Sequence, residues 1–180
     1  MLAKILIVLA VIIVLFVVIV ALRPSDFRAT RSTTIAAPPA IVFEQVNDLH
    51  KYLAWNPFSK LDPAAKKIFE GPSAGPGASL AWAGNNQMGE GKMTVTESRP
   101  SELVRFRLEF LRPFKATNTA EFTFKPDGGQ TVVEWSMTGT NNFMFKAVGL
   151  FMNCDKMVGG MFEQGLANLK AAAEAAAKQT

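Results

Sequence analysis

The chain holds one cysteine, one histidine and one tyrosine among its 180 residues. With Cys154 alone, no intrachain disulfide can form, so the sequence carries no record of the redox state of its compartment. Cys154 reads as a small hydrophobe on a helix and not as a nucleophile. With His50 alone, the paired imidazoles of a zinc site are missing, and a serine or cysteine nucleophile would have only this one base. His50 sits at a helix end among Asp48, Lys51 and Tyr52, where a solvated surface role fits. There is no G-x-S-x-G elbow. GPSAGPG (71–77) lacks the Lys-Ser/Thr ending of a phosphate loop and leads into a strand. Charge is sparse as well, with 19 Lys+Arg against 15 Asp+Glu and a net charge of +4. No basic cluster interleaved with aromatics occurs, so nucleic acid is not an expected partner. No motif asks for a metal or a cofactor.

Apolar sequence, by contrast, is abundant. Ile5 to Leu22 is an unbroken run, ILIVLAVIIVLFVVIVAL, closed by Arg23-Pro24. As a helix it spans roughly 27 Å, about the thickness of a hydrocarbon core. A cleaved signal peptide normally has a shorter apolar region and small residues at its cleavage positions. Here Ala21 stands among bulky β-branched neighbours, which favours an uncleaved single-pass anchor over residues 1–23 and a globular domain over 24–180. Lys4 lies on one side of the run and Arg23, Arg28 and Arg31 on the other. Counted literally, that bias puts the domain in the cytoplasm, but a four-residue leader leaves the side open.

Beyond the run, Phe27–Ala37 is Thr-rich and reads as a strand. Pro38-Pro39 opens a helix, continued by Ile41, Val42, Val46 and Leu49 at helical spacing. Asn47-Asp48 loosens it and Pro57 forbids its continuation, leaving a second short helical turn over Leu49–Trp55. From Ile68 to Gly139 the pattern is of strands joined by short connections rich in Gly, Pro, Asn and Asp, hence antiparallel neighbours. Alternation assigns their faces. Val104, Phe106, Leu108 and Phe110 oppose Arg105, Arg107 and Glu109; Ala120, Phe122 and Phe124 oppose Glu121, Thr123 and Lys125. Val133, Trp135 and Met137 oppose Val132, Glu134 and Ser136, while Leu80 and Trp82 share a side. One face of the sheet is therefore aromatic and the other wet. Helical spacing returns from Phe143 towards the end, with Gly159-Gly160 inside it, where close packing or a bend is expected.

These residues resemble the START/SRPBCC superfamily, and most closely its polyketide cyclase/dehydrase-like bacterial branch. The resemblance rests on TIAAPPAIVFEQVND, HKYLAWNPF, GEGKMTVTESRPSELVRFRLEF and ATNTAEFTFKPDGGQTVVEWSMTG, and covers nearly all of residues 25–175. Tyr52 departs from it, standing where many relatives place a tryptophan. The resemblance implies an α+β helix-grip fold: a curved antiparallel sheet of six to seven strands around a long C-terminal helix, with a cavity for hydrophobic ligands between them. Members include lipid carriers, cyclases and chaperone activators, so the fold alone assigns no activity.

The residues set the order among those functions. A cyclase or dehydratase needs an acid or base in an apolar cavity. Glu109, Glu121 and Glu134 face outward, where ion pairs with Arg105 and Arg107 explain them, and no inward acid stands out. The apolar set is the stronger signal. Trp55, Phe58 and Trp82 are expected at a cavity mouth, with Leu80, Phe106, Phe110, Phe122, Trp135 and Met137 lining it from the sheet. Phe143, Met144, Met152, Met157 and Met161 would face them from the helical end. The sequence thus leads to a membrane-anchored binder of a hydrophobic small molecule or lipid. A cyclase/dehydratase-type enzyme comes second, and a protein-interaction module of the chaperone-activator kind third.

Overall fold

A computed structural model describes residues 1–150 and 154–179. Helix α1 (Leu2–Leu22) ends where Arg23 turns to extended backbone ahead of Pro24. It is long and apolar enough to cross a membrane. Strand β1 (Asp26–Ile35) follows, then α2 (Pro39–Asn47) and α3 (Leu49–Trp55). Asp48 is both the end of α2 and the N-cap of α3, its carboxylate accepting from the backbone N–H of His50 at 2.8 Å and of Lys51 at 3.3 Å. A short 3-10 turn, Pro57–Lys60, closes this corner. The remaining strands are β2 (Lys66–Glu70), β3 (Ser79–Ala83), β4 (Glu90–Arg99), β5 (Leu103–Arg112), β6 (Ala116–Asp127) and β7 (Gln130–Thr140).

All seven strands form one antiparallel sheet in the order β1-β7-β6-β5-β4-β3-β2, so the chain runs as a meander and then brings its first strand back beside its last. The alternation expected from sequence holds in register. Val104, Phe106, Ala120, Phe122, Phe124, Val133 and Trp135 are buried on one face. On the other, Arg105 pairs with Glu121 at 2.8 Å and with Glu97, Arg107 with Glu109 at 3.0 Å, and Arg28 with Glu134 at 3.6 Å.

The single terminal helix expected from Phe143 onward is two helices: α4 (Phe143–Val148) and α5 (Cys154–Ala177). Asn142 caps α4, and the Gly149 carbonyl accepts from Arg23 Nη1 at 3.0 Å instead of continuing a helical ladder. Helix α5 packs on β1, α2 and α3, and buries Phe162, Leu166, Leu169 and Ala173 against the apolar face. The docking is tightest at Trp135, whose ring stacks on Phe162 at 4.0 Å and 8° and on Phe122 at 4.7 Å. A Cβ on Gly165 would fall 2.6 Å from Trp135 Cζ3 and 3.1 Å from Pro57 Cδ, so only glycine lets α5 come this close.

The glycine pair in α5 has a divided explanation. A Cβ on Gly159 would lie 1.9 Å from Arg31 Nη2, so this glycine makes room for a guanidinium reaching up from β1. Gly160 has nothing within 4 Å of its would-be Cβ, and no packing reason for it appears.

The same substitution should therefore act with opposite sign at two positions of one helix. Gly160→Ala gains helix propensity and should raise stability by up to about 1 kcal/mol. Gly165→Ala gains the same propensity but displaces Trp135, an overpacking cost of about 1–3 kcal/mol, and should lower it. Thermal unfolding of the detergent-solubilised chain reads both; equal shifts of one sign would refute the close approach.

Candidate functional site

The concave face divides into a filled half and an open half. Strand register defines the two ends of the sheet. At one end Asp26 pairs with Thr140, Asn118 with Gly139, Phe110 with Ala116 and Glu90 with Arg112. At the other Ile35 pairs with Thr131 and Leu103 with Thr123. Towards the second end, and through the middle, the space beneath α5 is solid with side chains. Phe106 and Phe122 are fully buried, Leu80, Trp55 and Trp135 nearly so, and Tyr52 wedges between Trp55, Phe106 and Phe122 with ring centroids 4.9, 5.5 and 6.3 Å away. Burial holds the Tyr52 hydroxyl above the ordinary phenol range, so it stays neutral. Trp55 is not at a rim: its indole N–H donates to the Gln45 carbonyl at 2.8 Å, tying α3 to α2 inside the core. Tyr52 likewise lies in the interior.

Towards the first end the packing thins. Phe58, Trp82, Phe110, Met137 and Met161 are half-buried, as are Leu108, placed inward by its alternation, and Phe27 and Asn118, which the sequence did not single out. Trp82 and Phe110 meet edge to face at 6.0 Å, and Phe58 reaches the Trp135 ring at 6.4 Å. Gly91, on the strand between them, leaves the space: a Cβ there would lie 2.6 Å from Trp82 Cζ2. The structure brings Trp82 and Phe110 together towards this end and leaves Phe58, Met137 and Met161 also partly covered, while Trp55, Leu80, Phe106, Phe122 and Trp135 are buried in the core. Phe143 and Met144 point elsewhere. They are 45 % and 54 % exposed on α4, which turns away to lie against α1 and does not cover the sheet. Met152 and the Met157 side chain lie outside the described residues.

Polar groups at this face are few. Arg31, on a concave position of β1, is held by Glu163 of α5 at 2.8 Å. The Asn118 amide approaches Met137 Sδ at 4.0 Å. Trp135 Nε1 is buried with no hydrogen-bond partner among the described residues, the one such side-chain atom found there. A buried donor left unpaired costs about 1–3 kcal/mol, so an acceptor brought in by a ligand would be rewarded. The alternation offers no clue to this unpaired donor, because it says only that Trp135 points inward. Among the described residues no strand carboxylate occupies a concave position, and no three His, Cys, Asp or Glu side chains group to hold a metal. His50 is exposed and stacks on Phe69 at 3.9 Å, at the β2 edge of the sheet. A shallow groove of about 520 Å3 lies on the opposite, outer face, where Thr117, Thr119, Thr138 and Thr140 line it beside Asp26 and Arg28. It is wide open to solvent and lacks the apolar walls of the concave side.

A meander sheet closed by its first strand and gripped by a C-terminal helix defines a helix-grip protein. The chain belongs to the family described as polyketide cyclase / dehydrase and lipid transport, whose profile matches residues 26–174. Among solved structures it is similar to TTHA0849 from Thermus thermophilus, with a TM-score of 0.62 at 16 % identity over 83 % of this chain and 99 % of that one. It is also similar to CV1439 from Chromobacterium violaceum, with a TM-score of 0.59 at 16 % identity over 84 % and 99 % of the two chains. Aha1 from Colwellia psychrerythraea, solved as a dimer, gives 0.58 at 14 % identity over 82 % and 96 %. Identities this low establish the shared fold. No curated protein matches the chain.

The two halves should answer differently to truncation. Phe122→Ala empties a fully packed position and should cost about 3–5 kcal/mol. Phe110→Ala, half-buried at the open end, should cost no more than about 1 kcal/mol. Denaturant titration of the two variants separates them; comparable losses would mean the open half is as filled as the core.

Proposed function

We propose that the protein is a membrane-anchored binder of an apolar small molecule or lipid, held in the open half of the concave face with no chemistry performed on it. The observation that carries this reading is the gradient along one face. Phe122 and Trp135 are buried, while Phe58, Trp82, Phe110 and Met137 on the same surface remain partly bare. Half-exposed aromatic and thioether side chains facing a covering helix are the composition of a pocket for apolar molecules, and methionine adapts to varied shapes. The Trp135 N–H supplies one donor, which suits a ligand with a single acceptor, such as a carbonyl or an ester, amid hydrocarbon. Helix α1 supplies the anchor, since it exposes apolar side chains all round as a lipid-facing span does.

A cyclase or dehydratase fits less well. Such a reaction requires a group that moves a proton at the substrate. The polar side chains on concave strand positions include Arg31, already paired, with Thr33, Lys67, Ser98, Asn118 and Thr131, and among the described residues no carboxylate stands with them.

Native mass spectrometry of the full chain released from membranes in mild detergent tests the reading. A bound mass in the lipid range is expected, and Trp135→Phe should weaken retention of an acceptor-bearing ligand by a few-fold to about tenfold, the net worth of one hydrogen bond. A chain that emerges empty and takes up no lipid when offered mixed vesicles would overturn it.

A further inference from the structure

Among the described residues, five of the seven exposed large hydrophobic side chains of the globular part lie together, and the other two, Ile68 and Phe69, are on β2. Leu111 is 49 % exposed, Phe114 45 %, Phe143 45 %, Met144 54 % and Val148 38 %. The first two flank or occupy the β5–β6 connection and the other three lie on α4, so all five belong to the sheet end where β1 begins and β7 finishes. The two segments touch: Phe145 of α4 meets the Phe114 ring edge to face at 5.6 Å. On α4 the exposed residues Phe143, Met144 and Val148 fall on one arc, while Phe145 and Lys146 occupy the other side.

Helix α1 arrives at this same end. Val20, near its C-terminus, is fully buried although the rest of the helix is bare, and α1 packs on α4. Arg23 fixes the junction through its hydrogen bond to the Gly149 carbonyl at 3.0 Å. The apolar arc is therefore continuous with the end of a helix long and apolar enough to span a bilayer. Lys115 and Lys146 stand beside it, and neither pairs with a carboxylate among the described residues. Large apolar side chains fringed by lysine are the make-up of a surface that sits in the interfacial layer of a bilayer.

We infer that α4 and the β5–β6 connection form a membrane-seating platform that presses the open end of the concave face onto the lipid surface. The inference rests on α1 acting as the anchor. Its consequence is directional: Phe110, Trp82 and Met137, at the same sheet end, face the source of an apolar ligand, which would then pass from bilayer to protein without crossing water.

Site-directed spin labelling of the full chain in nanodiscs of phosphatidylcholine and phosphatidylglycerol tests this. In a Cys154→Ser background, labels would be placed singly by Phe114→Cys and Met144→Cys. Ser32→Cys on the outer face serves as the aqueous reference and Val11→Cys as the reference within α1. Labels at 114 and 144 should show an oxygen-to-nickel-chelate accessibility ratio several-fold above that at 32. Labels at 114 and 144 matching 32, with 11 in lipid, would overturn the platform and leave the anchor standing. Labels at 114 and 144 shielded from both reagents would overturn it in favour of a protein partner or a second copy. A label at 11 open to the chelate would remove anchor and platform together.

Discussion

The structure depends on one aromatic stack. Trp135 of β7 lies between Phe122 of the neighbouring strand and Phe162 of α5, and the missing side chain at Gly165 lets helix and sheet approach closely enough for the 4.0 Å contact. Without this stack α5 would rest over the sheet on Leu166, Leu169 and Ala173 and on polar ties such as Glu163 to Arg31 and Asn168 to the Trp55 carbonyl. Trp55 meets the same ring at 5.9 Å and carries the α2–α3 corner with it, so three separate parts of the chain converge on one indole. Burial of rings this size, with favourable edge and face geometry, dominates the energetics of a domain of this length.

Fixing the helix at that point also decides where the site can be. Beyond Trp135, towards the sheet end that receives α1, Met137, Phe110, Leu108 and Trp82 of the apolar face are incompletely covered, while Phe106, Ala120, Met93 and Leu80 among them remain buried. The open half is thus not a flaw in packing but the remainder of an apolar face longer than its cover. The Trp135 N–H is buried and has no hydrogen-bond partner among the described residues. In the proposed function an apolar molecule covers these side chains, and the proposed anchor and platform set them beside a reservoir of such molecules.

Much of this was legible beforehand, and the reasons differ by element. Strand faces were readable because period two is a local property: EFTF and VVEW state their own orientation whatever packs above them. Helix α3 was readable as Leu49–Trp55 because Asp48 and Pro57 bound it chemically. Depth along the face was not. Trp55 and Phe58 look alike in sequence, and the hydrogen bond to Gln45 that pulls Trp55 inward is a tertiary fact. Nor does composition say which apolar surface a residue serves. Phe143 and Met144 read as cavity wall but lie outside it, because the expected helix is divided into α4 and α5 and Arg23 holds the end of α4 to α1. Arg31, a charge on the apolar face, was invisible until Gly159 and Glu163 showed what receives it.

The central claim is that an apolar molecule occupies the open half of the concave face. Photocrosslinking tests it most directly, with the full chain in vesicles containing a phospholipid that bears a diazirine on its acyl chain, and with labelled peptides mapped by mass spectrometry. The account predicts label on the strands carrying Trp82, Phe110 and Met137 in addition to α1. Label confined to α1 and α4, with none on those strands, would contradict it.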